Sequence, residues 1–311
     1  MDAPAPREPR PAGGGPPPAN PGRMWGRGAT AVAVLLAGAA WAPPARAAAA
    51  RDVAALQVAL RADGLYAGDV DGIAGPGTAA AVRVLQRRRG LAVDGIAGPR
   101  TRAALGRRGR PPYGSRPLRR GAAGWDVAAL QFELARHGFP SGPLDGGFGP
   151  RVEAAVARFQ AHAGLTPDGV AGPATIAALR APPPRSPLAL TWPLRAPVTD
   201  GFGARGARWH TGLDLPAAFG RVVVAPRAGR VAGTGDAGDG YGLRVTLDHG
   251  GGVRTRSAHL SAALVAPGAW VAAGAPIGRV GATGAATGPH LHFEVIVRGA
   301  LADPLPALSG G

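Results

Sequence analysis

The middle of the chain repeats itself without a gap. The segment DVAALQ at Asp52 returns 74 positions later at Asp126. At the same offset Asp71 and Gly72 return as Asp145 and Gly146, Gln86 as Gln160, and DGIAGPRT at Asp94 as DGVAGPAT at Asp168. A constant offset through so many landmarks marks one duplicated module, so the fold must contain the same small unit twice. Within a copy, Val53, Leu56 and Leu60 share a helical face behind a capping-type Asp52, and Val82 and Leu85 share another. D-G and G-P pairs break the chain between helices, and Pro99 opens a short third one over Thr101 to Leu105. Three short helices around one small core is the simplest architecture for each copy. The repeated Gly, Asp and Pro are read as turn and cap residues ahead of ligand contacts, so no binding residue is assigned in the modules.

After Trp192 the pattern changes to short runs broken by glycine: Arg221 to Ala225, Gly229 to Ala232, Leu243 to Leu247, Val253 to Ala258 and Leu291 to Val297. That spacing predicts a mainly antiparallel β domain. The fold class is therefore multidomain: two all-α three-helix modules followed by a β domain. Arg- and Pro-rich stretches at 108–123 and 181–190 lack periodicity and read as semi-extended spacers between the units. The resulting division is 50–107 and 124–180 for the modules and 191–306 for the β domain.

The chemistry concentrates in that last domain. Leu291, Phe293, Val295 and Val297 alternate with His290, His292 and Glu294, so one face of a strand is apolar and the other carries two imidazoles and a carboxylate. Residues i and i+2 stand roughly 6.6 Å apart on a strand. One histidine of the pair can then bind a metal while the other reaches a water on it. Of seven histidines, five fall between His210 and His292. His210 and Asp214 form an H-x-x-x-D pair, and Gly212 and Pro216 make its backbone extended or turned. A catalytic zinc site typically takes three protein ligands and leaves the fourth position open, and His210, Asp214 and one histidine of the H-x-H pair make such a set. His259, in SAHLS, ends another alternating run. His249 reads as structural or supporting, and His137 and His162 as solvated helix-surface residues.

The combination WHTGLD, AHLS and TGPHLHFEV, in this order, resembles the LytM or lysostaphin type of zinc endopeptidase, the M23 group, over roughly Trp192 to Pro304. The resemblance implies that Zn2+ is held by His210, Asp214 and His292, and that His259 and His290 are catalytic, lying beside the bound water. How those two divide the work is left open. Two positions depart from the group's pattern: Ser257 stands where Tyr is usual, and Ala286 where a small polar residue is, which bears on substrate contacts more than on the chemistry. The repeats, with DVDGIAGPGT and GLAVDGIAGP, are similar to peptidoglycan-binding modules carried by secreted wall hydrolases, which implies wall targeting.

A net charge of +16 comes entirely from arginine, since the chain has no lysine. Aromatics are 5% of residues and no groove-reading motif occurs, so nucleic acid is excluded as a partner in favour of peptidoglycan and anionic wall polymers. Residues 1–48 read as a signal peptide: Arg23 and Arg27 precede an apolar run from Ala29 to Ala42, with Ala45 and Ala47 in a small-x-small cleavage pattern. Met24 offers an alternative start. The run is too short to span a bilayer of roughly 30 Å comfortably, so no stable membrane anchor is expected after cleavage. With no cysteine, the compartment rests on this segment. The expected function is a secreted, wall-associated zinc endopeptidase that hydrolyses peptidoglycan stems or cross-bridges. The alternative is a non-catalytic wall-binding scaffold or hydrolase activator.

Overall fold

The computed structural model describes residues 44–309. The signal-peptide reading and Met24 lie outside them, except that 44–48 form the first turns of helix α1. Among the described residues no helix is long and apolar enough to cross a membrane.

Each repeat is a three-helix unit: α1 (Pro44–Ala62), α2 (Pro76–Arg88) and α3 (Pro99–Ala104), then α4 (Trp125–Arg136), α5 (Pro150–His162) and α6 (Pro173–Ala178). In four of the six the first helical residue is a proline behind a glycine, at Pro76, Pro99, Pro150 and Pro173. Proline fits there because its missing N–H has no intrahelical partner to lose. Asp52 is not a cap, because α1 begins eight residues earlier and carries it mid-helix.

Buried glutamines explain the repeated D-G loops. The Nε2 of Gln57 donates to Asp71 Oδ1 (2.7 Å) and the carbonyl of Ile73 (3.1 Å), while its Oε1 accepts from the Gly72 N–H (2.9 Å). Gln86, Gln131 and Gln160 hold Asp94, Asp145 and Asp168 in the same manner. A buried amide with its donors and acceptor satisfied pins the loop to the helix, so these repeated positions serve the fold.

The modules do not hang on spacers. Helices α1 and α4 pack together, and Leu56, Leu60, Trp125, Ala129 and Phe132 share one core. The stretch 108–123 folds against both: Leu118 is fully buried and bridges Ala171, and Tyr113 packs into the cores of both modules. In 181–190, the carbonyl of Ala181 meets His137 Nε2 (2.9 Å), and Leu188 packs on the β core. The spacer reading failed because Tyr113, Leu118, Leu188 and Leu190 in these Arg- and Pro-rich stretches pack into or against the neighbouring cores.

The C-terminal region contains, in chain order, β1 (Leu190–Thr191), β2 (Gly203–Arg205), β3 (Arg208–His210), β4 (Leu213–Pro216), β5 (Val222–Val224), β6 (Gly229–Gly235), β7 (Arg244–Asp248), β8 (Val253–Ala258), β9 (Leu260–Ala263), β10 (Trp270–Val271), β11 (Pro276–Val280), β12 (His290–Val297), β13 (Ala300–Ala302) and β14 (Leu308–Ser309). The main sheet runs β10-β6-β7-β8-β12-β13, with β4 also paired to β12. A smaller sheet, β5-β11-β9, covers it, β2 and β3 form a separate hairpin, and the short β1–β14 pair is parallel. As the alternation predicts, Leu291, Phe293, Val295 and Val297 enter the core, packed with Leu215, Leu247, Leu260 and Val280. The other face of β12 is left for His290, His292 and Glu294.

Candidate metal centre

Strand register assembles the centre. On β4, Asp214 lies directly across from His292 of β12, a placement that brings side chains on one face within contact. The hairpin β2–β3 then folds His210 over this pair. His210 Nε2 is 3.1 Å from Asp214 Oδ1 and 3.1 Å from His292 Nδ1, and His292 Nδ1 is 2.9 Å from Asp214 Oδ1. These three residues form the metal-capable group among the described residues.

The outward-facing nitrogens fix what the triangle presents. His210 Nδ1 donates to the Gly201 carbonyl (2.8 Å), and His292 Nε2 faces Glu294 Oε1 (3.2 Å). In the neutral rings the inner nitrogens, His210 Nε2 and His292 Nδ1, therefore turn lone pairs toward each other and toward a carboxylate, and with no cation there a proton on these nitrogens makes the hydrogen bonds to Asp214. Two lone pairs and an anionic oxygen about 3 Å apart repel unless a proton or cation sits among them. Ligand atoms around a tetrahedral zinc, with bonds of about 2.0–2.1 Å, stand about 3.3 Å apart, so the triangle fits such an ion.

Around the triangle the supports are buried. Glu294 is fully buried, with Oε2 paired to Arg256 (2.8 Å) and Oε1 accepting from the Tyr241 hydroxyl (2.7 Å). Arg205 pairs with Asp214 Oδ2 (2.6 Å) and with Asp200. Burial alone would raise the Asp214 carboxyl, but hydrogen bonds from His210, His292 and Arg205 hold it well below the usual range. Burial acts to lower His292, yet the Asp214 and Glu294 carboxylates push it up to about 9.

His259 and His290 stand next to this group with their rings 4.8 Å apart. His259 Nδ1 donates to the Thr283 carbonyl and His290 Nδ1 to that of Gly288, both at 2.8 Å. Each thus keeps an Nε2 for the cleft, and that of His290 lies 3.7 Å from Asp214 Oδ1. Burial, followed by the neighbouring histidines, lowers the His259 pKa despite the Thr283 hydrogen bond. His259 sits at φ 59°, a left-handed conformation uncommon outside glycine. Gly281 permits that turn, because a Cβ there would lie 2.3 Å from Ser261 N and 2.8 Å from His259 O. An open cleft of about 460 Å3 is lined by the four histidines together with Arg205 and Tyr241.

The five residues singled out in the sequence, His210, Asp214, His259, His290 and His292, are thus brought together. Others are placed differently. His137 is buried, not solvated, capping α4 with its Nδ1 against the Glu133 carbonyl (2.8 Å). His162 is half-buried and meets the Arg298 carbonyl (3.2 Å). His249 is structural, bridging the Ala228 carbonyl and Thr255. Ser257 is buried inside β8 and does not line the cleft, so that departure concerns packing. Arg205, Asp200 and Arg256 were missed. Asp200 and Arg205 lie in DGFGAR and Tyr241 in GYG, segments within the resemblance that mark no one side chain, and Arg256 is one of many charges in an arginine-rich chain.

Residues 208–304 match the model of Peptidase family M23, and residues 50–105 and 124–179 each match that of a peptidoglycan binding domain. Over 98 residues the chain is 45% identical to the DD-carboxypeptidase/endopeptidase Mpg of Neisseria meningitidis serogroup B, covering 32% of this chain and 22% of that protein. It is 37% identical over 120 residues to the murein hydrolase activator EnvC of Escherichia coli, covering 38% of this chain and 28% of EnvC. The chain spans about a quarter of the length of the curated relatives it matches. The catalytic domain of lysostaphin from Staphylococcus simulans aligns at 32% identity over 36% of this chain and 90% of that one, with a TM-score of 0.35. The C-terminal domain belongs to peptidase family M23, and two peptidoglycan binding domains precede it.

Proposed function

We propose that the chain is a zinc-dependent endopeptidase that hydrolyses peptide bonds in peptidoglycan stems or cross-bridges outside the cytoplasm. The observation that carries this reading is the triangle of His210 Nε2, Asp214 Oδ1 and His292 Nδ1, three potential ligand atoms about 3 Å apart at the spacing a tetrahedral ion needs. These three residues would hold zinc, which when bound supplies Lewis acidity to polarise the scissile carbonyl and to make water nucleophilic near neutral pH. His259 and His290 do the proton work. With each Nδ1–H committed to a backbone carbonyl, each Nε2 is the atom that can take the proton of the attacking water and pass it to the leaving amine. The protonated form of either ring also stabilises the oxyanion formed on attack. Arg205 keeps Asp214 ionised and aimed. The two peptidoglycan binding domains hold the enzyme on its insoluble polymer, where two weak sites act together.

The match to EnvC, a murein hydrolase activator, supports a second reading in which the domain binds walls and partners without cleaving. The intact triangle and both cleft histidines favour catalysis. Digestion of isolated walls by the purified chain, with metal analysis of the same sample, tests the choice. Bound zinc and new amino termini in the soluble fraction are expected; a folded sample with neither would leave the activator reading.

A further inference from the structure

We propose that the two modules brace the metal centre by clamping the β2–β3 hairpin, which makes Trp209 and Asp69 positioning residues for the ligand His210. This rests on the proposed metal role of His210. The hairpin is short, with three residues in each strand, and pairs Gly203 with His210 at one end and Arg205 with Arg208 at the other. An isolated two-stranded hairpin is marginally stable in water, so its position is set by what holds it. The centre depends on it directly. It supplies His210 from one strand and, from the other, Arg205, which pairs with Asp214.

The tip of the hairpin is inserted between the modules. Asp69 Oδ1 of the first accepts from the Gly206 N–H (2.6 Å), and the Val70 N–H donates back to the Gly206 carbonyl (2.9 Å). From the second module the Leu144 N–H donates to the Ala207 carbonyl (2.7 Å). Trp209, the residue before the ligand, packs into the core shared by α1 and α4. Its ring meets Phe132 of α4 edge-on at 5.8 Å and Phe202 at the same distance. Adjacent strand residues point to opposite faces, so Trp209 enters the module core while His210 faces the cleft. Among the described residues, none from the modules lines the cleft. The modules therefore support the centre from behind and leave its mouth open.

The test uses the full-length chain. Zinc affinity by competition with a chromophoric chelator, and the visible absorption of the Co2+-loaded protein, are compared for wild type, Asp69→Ala, Asp69→Asn and Trp209→Ala, with thermal melting as the check on folding. Partners that orient a metal ligand are typically worth 10- to 100-fold in affinity, and a contact one step further out should sit near the lower end. Asp69→Ala is expected to weaken zinc about tenfold and alter the cobalt spectrum, Asp69→Asn, which keeps an acceptor for Gly206, to restore both, and Trp209→Ala to weaken zinc at least as much. If Trp209→Ala does not fold, the Asp69 pair decides. Folded variants with wild-type affinity and spectrum would overturn the brace alone; a folded wild type that binds neither metal would overturn the reading of the centre and the brace with it.

Discussion

His292 turns its Nε2 onto Glu294 Oε1 at 3.2 Å, although the two residues are separated by only one pleat of the same strand. This contact chooses the tautomer of His292 and so decides that Nδ1, not Nε2, faces Asp214. Glu294→Gln should loosen that choice, because the amide can offer its NH2 in place of an acceptor. Zinc affinity is expected to fall 10- to 100-fold. Arg256 would lose its buried carboxylate partner as well, so a fall in stability of about 1–3 kcal/mol is expected on thermal melting. Unchanged zinc affinity would mean that the tautomer is set elsewhere.

The two histidines of β12 are expected to fail in different ways. His292→Ala removes a corner of the triangle and should abolish both zinc retention and hydrolysis. His290→Ala leaves the triangle intact and should keep near-stoichiometric zinc while lowering the rate by about 100- to 10,000-fold, the usual range for a lost general acid or base. His259→Ala should resemble His290→Ala, and the double variant should lose less than the product of the two if both serve one proton transfer. Elemental analysis and the hydrolysis rate of each folded variant check this. Zinc lost from His290→Ala and kept by His292→Ala would reverse the assignment.

Much of the centre was legible because its residues obey simple rules. Alternation from Leu291 to Val297 told which side chains enter the core, and H-x-H and H-x-x-x-D are compact enough to stand out. What joins the domains was harder to see. Helix α4 is buried along nearly its whole length, from Trp125 to Ala135. Its extra apolar faces, Phe132 above all, were the available sign that it packs on more than its own module. The ion pairs of Arg205 and Arg256 depend on partners across strands, and nothing local distinguishes them from the many other arginines. His137 looked solvated because a lone polar residue at a helix end usually is.

Stability should respond to pH through Glu133, which is buried on α4 beside Arg136. Burial pushes its carboxyl up to about 7, with Arg136 and Arg51 opposing. The folded carboxyl then holds a proton that the unfolded chain has already released, so Glu133 costs stability progressively as pH rises from about 4.5 to 7 and no further above that. Over that interval the cost is about 3 kcal/mol. Buried His137 acts oppositely, its pKa lowered first by burial, so that its contribution is lost as pH falls. The informative quantity is therefore the difference between wild type and Glu133→Gln. Relative to its value near pH 4.5, the stability of the variant should improve on wild type by up to about 3 kcal/mol by pH 8. A difference that stays flat across denaturant titrations at pH 4.5, 6 and 8 would show that Glu133 is not ionising in this range.

Removing the modules should harm the β domain as well as its attachment to walls. A chain beginning at Leu190 exposes Trp209, loses the Asp69 and Leu144 hydrogen bonds to the hairpin tip, and uncovers Ala300, which is buried in the core of the second module. Gly138 shows how close that second contact is: its backbone lies so near β13 that a Cβ would stand 2.1 Å from the Leu301 carbonyl oxygen. Each large apolar side chain returned to water costs about 1.5–3 kcal/mol, a sizeable share of the stability of an ordinary domain. The shortened chain is therefore expected to melt well below the β domain of the full chain and to bind zinc more weakly, while also sedimenting poorly with insoluble walls. Calorimetry on both forms, with and without zinc, separates these effects. If the shortened chain melted at the same temperature and held zinc equally well, the modules would be attachments only, and its loss of wall binding would be the whole consequence of cutting them away.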